Sequence, residues 1–563
     1  MHIQQLYHNV FAEYLVLHTF LLTGSDQLAN IIQFGAMLGA VTGVSLLAKR
    51  LGLTYRGQLL AGILMACLPI GLFESTTTQN DYVACFFFIC FVLFGYWFLS
   101  TSERTTLVWG LLSLVFGSFT KYPILFFSLP FVIYLAVQIL RQKGFQFGLI
   151  TLAGATLLFA LVFSPFFARN YAVFGSIMSP KETSRLSAEK LPVDKYSIAY
   201  SLSGLIKNAG LHIGAPYLPY NRQADSVVVG MHRLLGVSVT DPATSRDQFS
   251  VRFSMQEDMA PNTVHFFLLL FAVVILFTRR GHSSVKLLFA LGLAGLVLYA
   301  SIFKFQLFNT RVHMPFFAIG CVVTAYVWQG ILKWSGFYLA LALYLLSTLV
   351  VLGNPSKMVV PIRYVAQRAL AHVPRYLCFS TADEQRKFYQ AVGHYYEYVP
   401  TPYCLSLRQS YGYSDRAAIF HKLDSIDYFR HDKEESVLFE SRTQAYFANH
   451  PYHYADYAPL LTHVGPDVQN IAYMPISDSG FYHFWSALNQ QTDHPVKMGY
   501  IRYFREYATM PNAQRPFCYN YILSDDLSLV RLIINDKDIA DIHTSGKLTL
   551  VHLKQSSCQT YLF

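Results

Sequence analysis

Between Gly24 and Leu352 the chain carries about ten apolar stretches, each near the roughly 20 residues an α-helix needs to cross a bilayer. Nothing constrains the fold more, because a backbone in lipid must satisfy its own hydrogen bonds and does so as helices. The spans read at about 27–47, 57–75, 82–100, 105–119, 122–140 and 147–166, then, after a break, at 264–278, 285–303, 313–329 and 335–352. The expected fold class is therefore mostly α, a polytopic membrane bundle. Composition agrees: 53% hydrophobic, 13% charged and a mean hydropathy of +0.33 over 563 residues exclude an ordinary soluble chain.

The net charge of +10 is unevenly spread: residues 355–563 hold 20 Lys+Arg against 20 Asp+Glu, leaving 23 against 13 for the first 354. A basic excess confined to the membrane part points to topology and anionic lipid contact, not to nucleic acid, because no basic patch interleaved with aromatics accompanies it. Lys49, Arg50 and Arg56, then Arg141 and Lys143, then Arg279, Arg280 and Lys286 mark the connections expected to face the cytoplasm. The turns at Glu74–Asp81 and 120–122, the long segment 167–263 and the turn at 304–313 then face the other side.

That count sends everything after Pro355 outward as an extracytoplasmic soluble domain of mixed α/β type, giving two domains, 1–354 and 355–563. Alternating runs Phe517–Leu523 and Lys547–Leu553 predict strands, while Asp383–Val392 and Arg416–Leu423 have helical spacing. In an oxidising compartment Cys378, Cys404, Cys518 and Cys558 allow one or two disulfides, with four buried thiols as the alternative. The tail's many aromatics are core residues or a surface for stacking on sugar rings. Cys67, Cys85, Cys90 and Cys321 lie in spans and predict packing.

Residues 1–24 lack the basic start and continuous apolar core of a signal peptide and predict an amphipathic surface helix over 5–23. Phe11, Leu15, His18, Leu21 and Leu22 would form one face, with Glu13 opposed. Topology places this segment outside with nothing before it to carry it there, so a further transmembrane helix is expected upstream of Met1.

The Leu21-Leu22-Thr23-Gly24 helix end, Ser25–Asn30, Thr78-Gln79-Asn80-Asp81, Phe119-Thr120-Lys121, Pro165–Asn170 with Phe174-Gly175, and Arg311-Val312-His313-Met314-Pro315 occur in order. Together they resemble the C-type (GT-C fold) glycosyltransferases of family 39, a group that includes protein O-mannosyltransferases and the lipid A aminoarabinose transferase. The resemblance covers roughly residues 5–350. It implies a GT-C-like helical bundle with large outer loops that transfers a sugar from a polyprenyl-phosphate carrier to a lipid, glycan or protein acceptor on the extracytoplasmic face. It also implies a catalytic carboxylate in the first outer loop, just before the surface helix, assisted by a second acidic residue. Asp81 matches the second position, and Glu13 is the carboxylate nearest the first.

Chemistry specifies what such a site needs. A carboxylate at a membrane boundary is costly unless used, which singles out Asp81. An acceptor losing a proton as it attacks needs a general base, here Asp81 with Glu13. A phosphate leaving group needs fixed cations, and Lys121, Arg169 and Arg311 are all expected at that boundary, although each alone reads equally as a snorkelling residue at a helix end. The outer segment adds His212, Asp241, Glu257, Asp258, Asn262 and His265, which would orient an acceptor, bind a divalent cation through oxygen ligands, or cap the helix beginning near Asn262. His18 and His313 lie near the same cavity. No cofactor is required by any of these residues, and a divalent metal remains an option. A transporter or flippase of lipid-linked glycans is the competing class, and a catalytically idle scaffold the third. Scarce charge within the spans and polar groups gathered on one side argue against transport. The chain carries no P-loop, Gly-x-Ser-x-Gly elbow or dinucleotide fingerprint.

Overall fold

In a computed structural model the described residues are 7–177, 191–278, 283–331, 335–352, 354, 357, 359, 436–447, 451–474, 481–501 and 516–559. The expected strands fall among them. The helices expected at 383–392 and 416–423, together with Cys378 and Cys404, lie outside them.

The first 352 residues form helices α1 (Phe11–Thr23), α2 (Ile31–Arg50), α3 (Tyr55–Ala66), α4 (Pro69–Glu74), α5 (Asp81–Thr101), α6 (Arg104–Thr120) and α7 (Pro123–Phe174). They continue with α8 (Ile198–Gly210), α9 (Leu218–Leu235), α10 (Thr263–Thr278), α11 (Ser283–Ile302), α12 (Asn309–Val312), α13 (Met314–Ile331) and α14 (Ser335–Leu352). By length and composition α2, α5, α7 and α11 are each sufficient to cross a membrane, and α10, α13 and α14 are shorter and equally apolar. The chain is a multi-pass membrane protein.

Two departures from the expected elements matter. The stretch at 57–75 is not one helix: Leu68 is extended and Pro69, which has no N–H to donate, opens the separate six-residue α4. That break leaves Glu74 at the bundle rim instead of in a span. The stretches at 122–140 and 147–166 lie in two helical arms of α7 that meet at a kink at Gly144, whose φ of 82° suits a residue without a Cβ. Finally, α1 is not amphipathic in the expected sense. Ala12 and Thr19 are its buried residues, whereas Leu21 and Leu22 are 73% and 85% exposed. In a membrane protein an apolar residue need not turn inward to leave water, so exposure of leucine does not mark the polar face.

Small residues set the spacing that builds the site. On α2, a Cβ at Gly39 would sit 2.6 Å from Phe86 and one at Gly43 2.7 Å from Ile89, so α2 crosses α5 at close range through a small-x-x-x-small face. The same face, continued by Ala36, ends at Gln33 beside the first turn of α5.

The tail folds separately around helices α15 (Arg442–Tyr446), α16 (Pro451–Leu461), α17 (Phe481–Asn489) and α18 (Leu527–Ile533) and five strands. These are β1 (Asn470–Met474), β2 (Lys497–Tyr500), β3 (Phe517–Ser524), β4 (Ile539–Ser545) and β5 (Leu548–Gln559), in the order β2-β1-β3-β5-β4. β1 pairs parallel with β2 and β3, and β5 pairs antiparallel with β3 and β4. This is the mixed α/β architecture expected. Its aromatics Tyr457, Tyr473, Tyr519 and Tyr521 are buried in the two cores on either face of the sheet. Cys518 and Cys558, directly opposed on β3 and β5, form a disulfide. The tail touches the bundle through Arg442 and the Tyr482 hydroxyl, both on Asp26, and through Lys357 on Glu257.

Candidate active site

Asp81 is the first residue of the 21-residue α5, where the helix dipole favours an anion. The preceding Asn80 makes no side-chain cap of its own helix; its amide instead donates to Glu13 Oε1 at 3.0 Å. The cap comes from α2, because Gln33 Oε1 accepts the backbone N–H groups of Tyr82 at 3.0 Å and Val83 at 3.1 Å. A residue 49 positions away thereby satisfies the free donors of the helix that carries Asp81.

Two cations converge on the Asp81 carboxylate, whose side chain is 1% exposed. Lys121 Nζ donates to Oδ1 at 2.5 Å and Arg311 Nε lies 3.9 Å from Oδ2. Lys121 is the extended joint between α6 and α7, and Arg311 belongs to the short helix α12. Arg311 Nη1 also donates to Asp258 Oδ1 at 3.0 Å and to Gln79 Oε1, while Gln79 Nε2 donates to the same Asp258 oxygen at 2.8 Å. Beneath them the Glu74 side chain is wholly buried, its Oε2 taking bonds of 3.4 Å from Gln33 Nε2 and Thr77 Oγ1.

Around this cluster lie two more titratable groups. Glu13 is exposed over the whole residue, yet desolvation of its carboxyl raises its pKa above the ordinary value, opposed by the Asn80 bond and the Lys121 charge. His8, just before α1, has its pKa lowered to about 4, first by burial and then by Lys121. Its imidazole is therefore neutral at neutral pH and able to accept a proton.

A second buried chain lies behind Arg311. The Asn262 N–H donates to His212 Nδ1 at 3.4 Å, so His212 carries its hydrogen on Nε2 and gives it to His313 Nδ1 at 2.9 Å. His313 Nε2 is then a buried donor with no partner among the described residues. Burial, then the adjacent His313, lowers the His212 pKa and keeps its ring neutral. Tyr299 OH donates to Asn309 Oδ1, and Asn309 Nδ2 to Asn208 Oδ1, both at 2.9 Å, which ties α11 and α12 to α8.

The expected residues thus divide. Asp81, Lys121, Arg311 and Asp258 meet in one ion-pair cluster, with Glu13 at its edge. Arg169 bonds Asn170 Oδ1 at 3.1 Å and lies over Phe166, and is not one of the two ion-pair partners of Asp81. The outer-segment residues do not form a common ligand set. Glu257 pairs with Lys357 at 2.9 Å, Asn262 Oδ1 accepts the Ile70 N–H at 3.1 Å, and His265 Nε2 bonds Leu64 O at 2.9 Å. Asp241 accepts the Ala243 N–H at 2.9 Å and serves a turn. Among the described residues no three His, Cys, Asp or Glu side chains are placed to hold a metal ion. His18 bonds Tyr14 O within its own exposed helix. Glu74, Gln33 and His8 carry no local motif. Only a tally of polar residues at span ends would have raised Glu74 and Gln33.

No family model and no curated protein matches the chain. Two solved structures of ArnT from Cupriavidus metallidurans, one bound to undecaprenyl phosphate and one in the apo state, are similar to it. Each is 14% identical with a TM-score of 0.40, over 97% of this chain and 88% and 87% of those chains respectively.

Proposed function

We propose that the chain is an integral-membrane glycosyltransferase that moves a sugar from a polyprenyl-phosphate carrier to an acceptor at the end of the bundle where Asp81 lies. The observation that carries the reading is the Asp81 carboxylate, 1% exposed and held between Lys121 and Arg311. Taking one carboxylate and two cations out of water costs several kcal/mol per ion, and a purely structural role is served as well by apolar packing. The same three groups are what the transfer needs.

In the reaction, the acceptor O–H or N–H gives its proton to Asp81 as the oxygen or nitrogen attacks the anomeric carbon. The bond from that carbon to the carrier phosphate breaks, and its electron pair stays on the phosphate oxygen. Lys121 and Arg311 hold that growing charge, Arg311 with the forked geometry suited to phosphate. Asp258, 36% exposed and shared by Arg311 and Gln79, occupies the guanidinium until a phosphate displaces it. Glu13 and His8, at the edge of the same cluster, contact the acceptor.

The reading is tested with the purified full chain, polyprenyl-phosphate sugars and a panel of lipid, glycan and peptide acceptors, with undecaprenyl phosphate as the competing product. Carrier-dependent transfer abolished by Asp81→Asn and by Arg311→Ala is expected. Transfer unchanged in both variants would remove the site, and movement of lipid-linked sugar across vesicles without any transfer would make the protein a transporter.

A further inference from the structure

Three buried polar atoms at the site lack a hydrogen-bond partner among the described residues: Glu74 Oε1, Asp81 Oδ2 and Arg311 Nε. Orphans gathered at one place indicate that a proton or a ligand is missing from the count. The three carboxylates there are not equivalent. Asp81 and Asp258 each reach a cation within 3.0 Å, whereas Glu74 has no ion pair among the described residues and is 0% exposed.

The charged groups facing Glu74 are Asp81 at the start of α5, Arg311 on α12, Asp258 on the outer segment and Lys121 between α6 and α7. Gln33 of α2 and Thr77 supply neutral bonds, and α14, also packed on α4, has no charged residue. Three carboxylates against two cations leave one negative charge in excess, and Glu74, the carboxyl without a cation, is the one closed to water. An uncompensated buried charge costs far more than taking up a proton, and of two neighbouring carboxyls one is driven to stay protonated.

We infer that Glu74 is a neutral carboxylic acid at neutral pH whose proton serves the Asp81 carboxylate, so that the two carboxyls form one acid pair carrying a single negative charge. The inference rests on the proposed transfer for its purpose but not for its detection. With the proton on Glu74 the cluster balances, two negative charges against two positive. Gln33 links the two carboxyls, its amide nitrogen on Glu74 Oε2 and its oxygen on the first turn of α5 that Asp81 opens. When Asp81 takes the acceptor's proton, the pair becomes neutral. Lys121 and Arg311 then face only Asp258, and their free charge coincides with the charge arriving on the phosphate. Glu74 touches no substrate in this scheme; it is a positioning residue that fixes the charge state of Asp81.

The test combines infrared spectroscopy with a pH profile. The full chain, labelled with carbon-13 glutamate and reconstituted in nanodiscs, is expected to show a carboxylic-acid C=O band at neutral pH that Glu74→Gln removes. Because glutamine is neutral and can donate, Glu74→Gln is expected to leave the acid limb of kcat in place, while Glu74→Ala lowers kcat with little change in KM for the carrier. Absence of the band from the wild type, or its persistence in Glu74→Gln, overturns the inference. A shift of the acid limb to lower pH in Glu74→Gln also overturns it, because it means that a negative neighbour of Asp81 was removed. The wild-type band is read without turnover, so a protein that shows the band and transfers no sugar refutes the functional reading alone.

Discussion

Lys207 and Lys121 are both cations held by short polar contacts, and they are held in opposite ways. Lys207, on α8, is 0% exposed and donates to Thr244 O at 3.4 Å, Thr244 Oγ1 at 2.9 Å and Ser245 Oγ at 2.6 Å. All three ammonium hydrogens have acceptors, none of them a carboxylate. Lys121 keeps a 21% exposed side chain and spends its charge on a carboxylate that retains an orphaned oxygen. The first arrangement is complete and pins α8 to the 243–245 turn, which itself bonds Phe305. The second leaves Asp81 Oδ2 without a hydrogen bond from any described side chain. Completeness of hydrogen bonding, not burial or charge, separates a structural cation from one available to a ligand.

The largest effect that would sharpen this contrast is at Asp81. Asp81→Asn keeps the shape and removes the base, and transfer is expected to fall by about 10²–10⁴-fold, measured as carrier-dependent product formation. Arg311→Ala should cost about 10²–10³-fold in kcat, and it should also lower thermal stability because Asp81 loses one partner of a buried pair. At the contrasting site, Lys207→Met should leave transfer within severalfold of wild type yet destabilise the outer segment by about 1–3 kcal/mol, since Thr244 and Ser245 lose a buried partner. Comparable losses of transfer at Lys207 and Lys121 would break the comparison.

The smallest effect is a pH dependence. Burial lowers the Lys207 pKa from 10.5 to about 8, with Asp241 pulling it back up. Between those values the unfolded chain binds the proton and the folded one does not, so stability should rise with pH across that window and be lost as pH falls through about 8. Denaturant resistance of the 198–245 segment, followed by limited proteolysis, should show that rise in the wild type and not in Lys207→Met.

How much of this was legible beforehand depends on the range of the interaction. The apolar stretches were readable because a helix in lipid needs only its own residues, and β3 and β5 because alternation is local. Asp81, Lys121 and Arg311 were readable as charged residues at helix ends. Their convergence was expected from topology; in the structure Lys121 and Arg311 reach Asp81, and Arg169 bonds Asn170. The split of 57–75 was signalled by Pro69 and went unread. Gln33 was unreadable: its role exists only because Gly39 and Gly43 let α2 approach α5 closely enough for one amide to cap another helix.

The sequence by itself determined that the chain is a helical membrane bundle with a mixed α/β tail, because hydropathy and alternation act within a single element. It also determined which residues carried charge at the rim. The tertiary structure alone decided which charges neutralise each other. Whether a carboxylate meets a cation, as Asp81 and Asp258 do, or meets none, as Glu74 does, is settled by distances of a few ångströms between residues as far apart in the chain as Asp81 and Arg311.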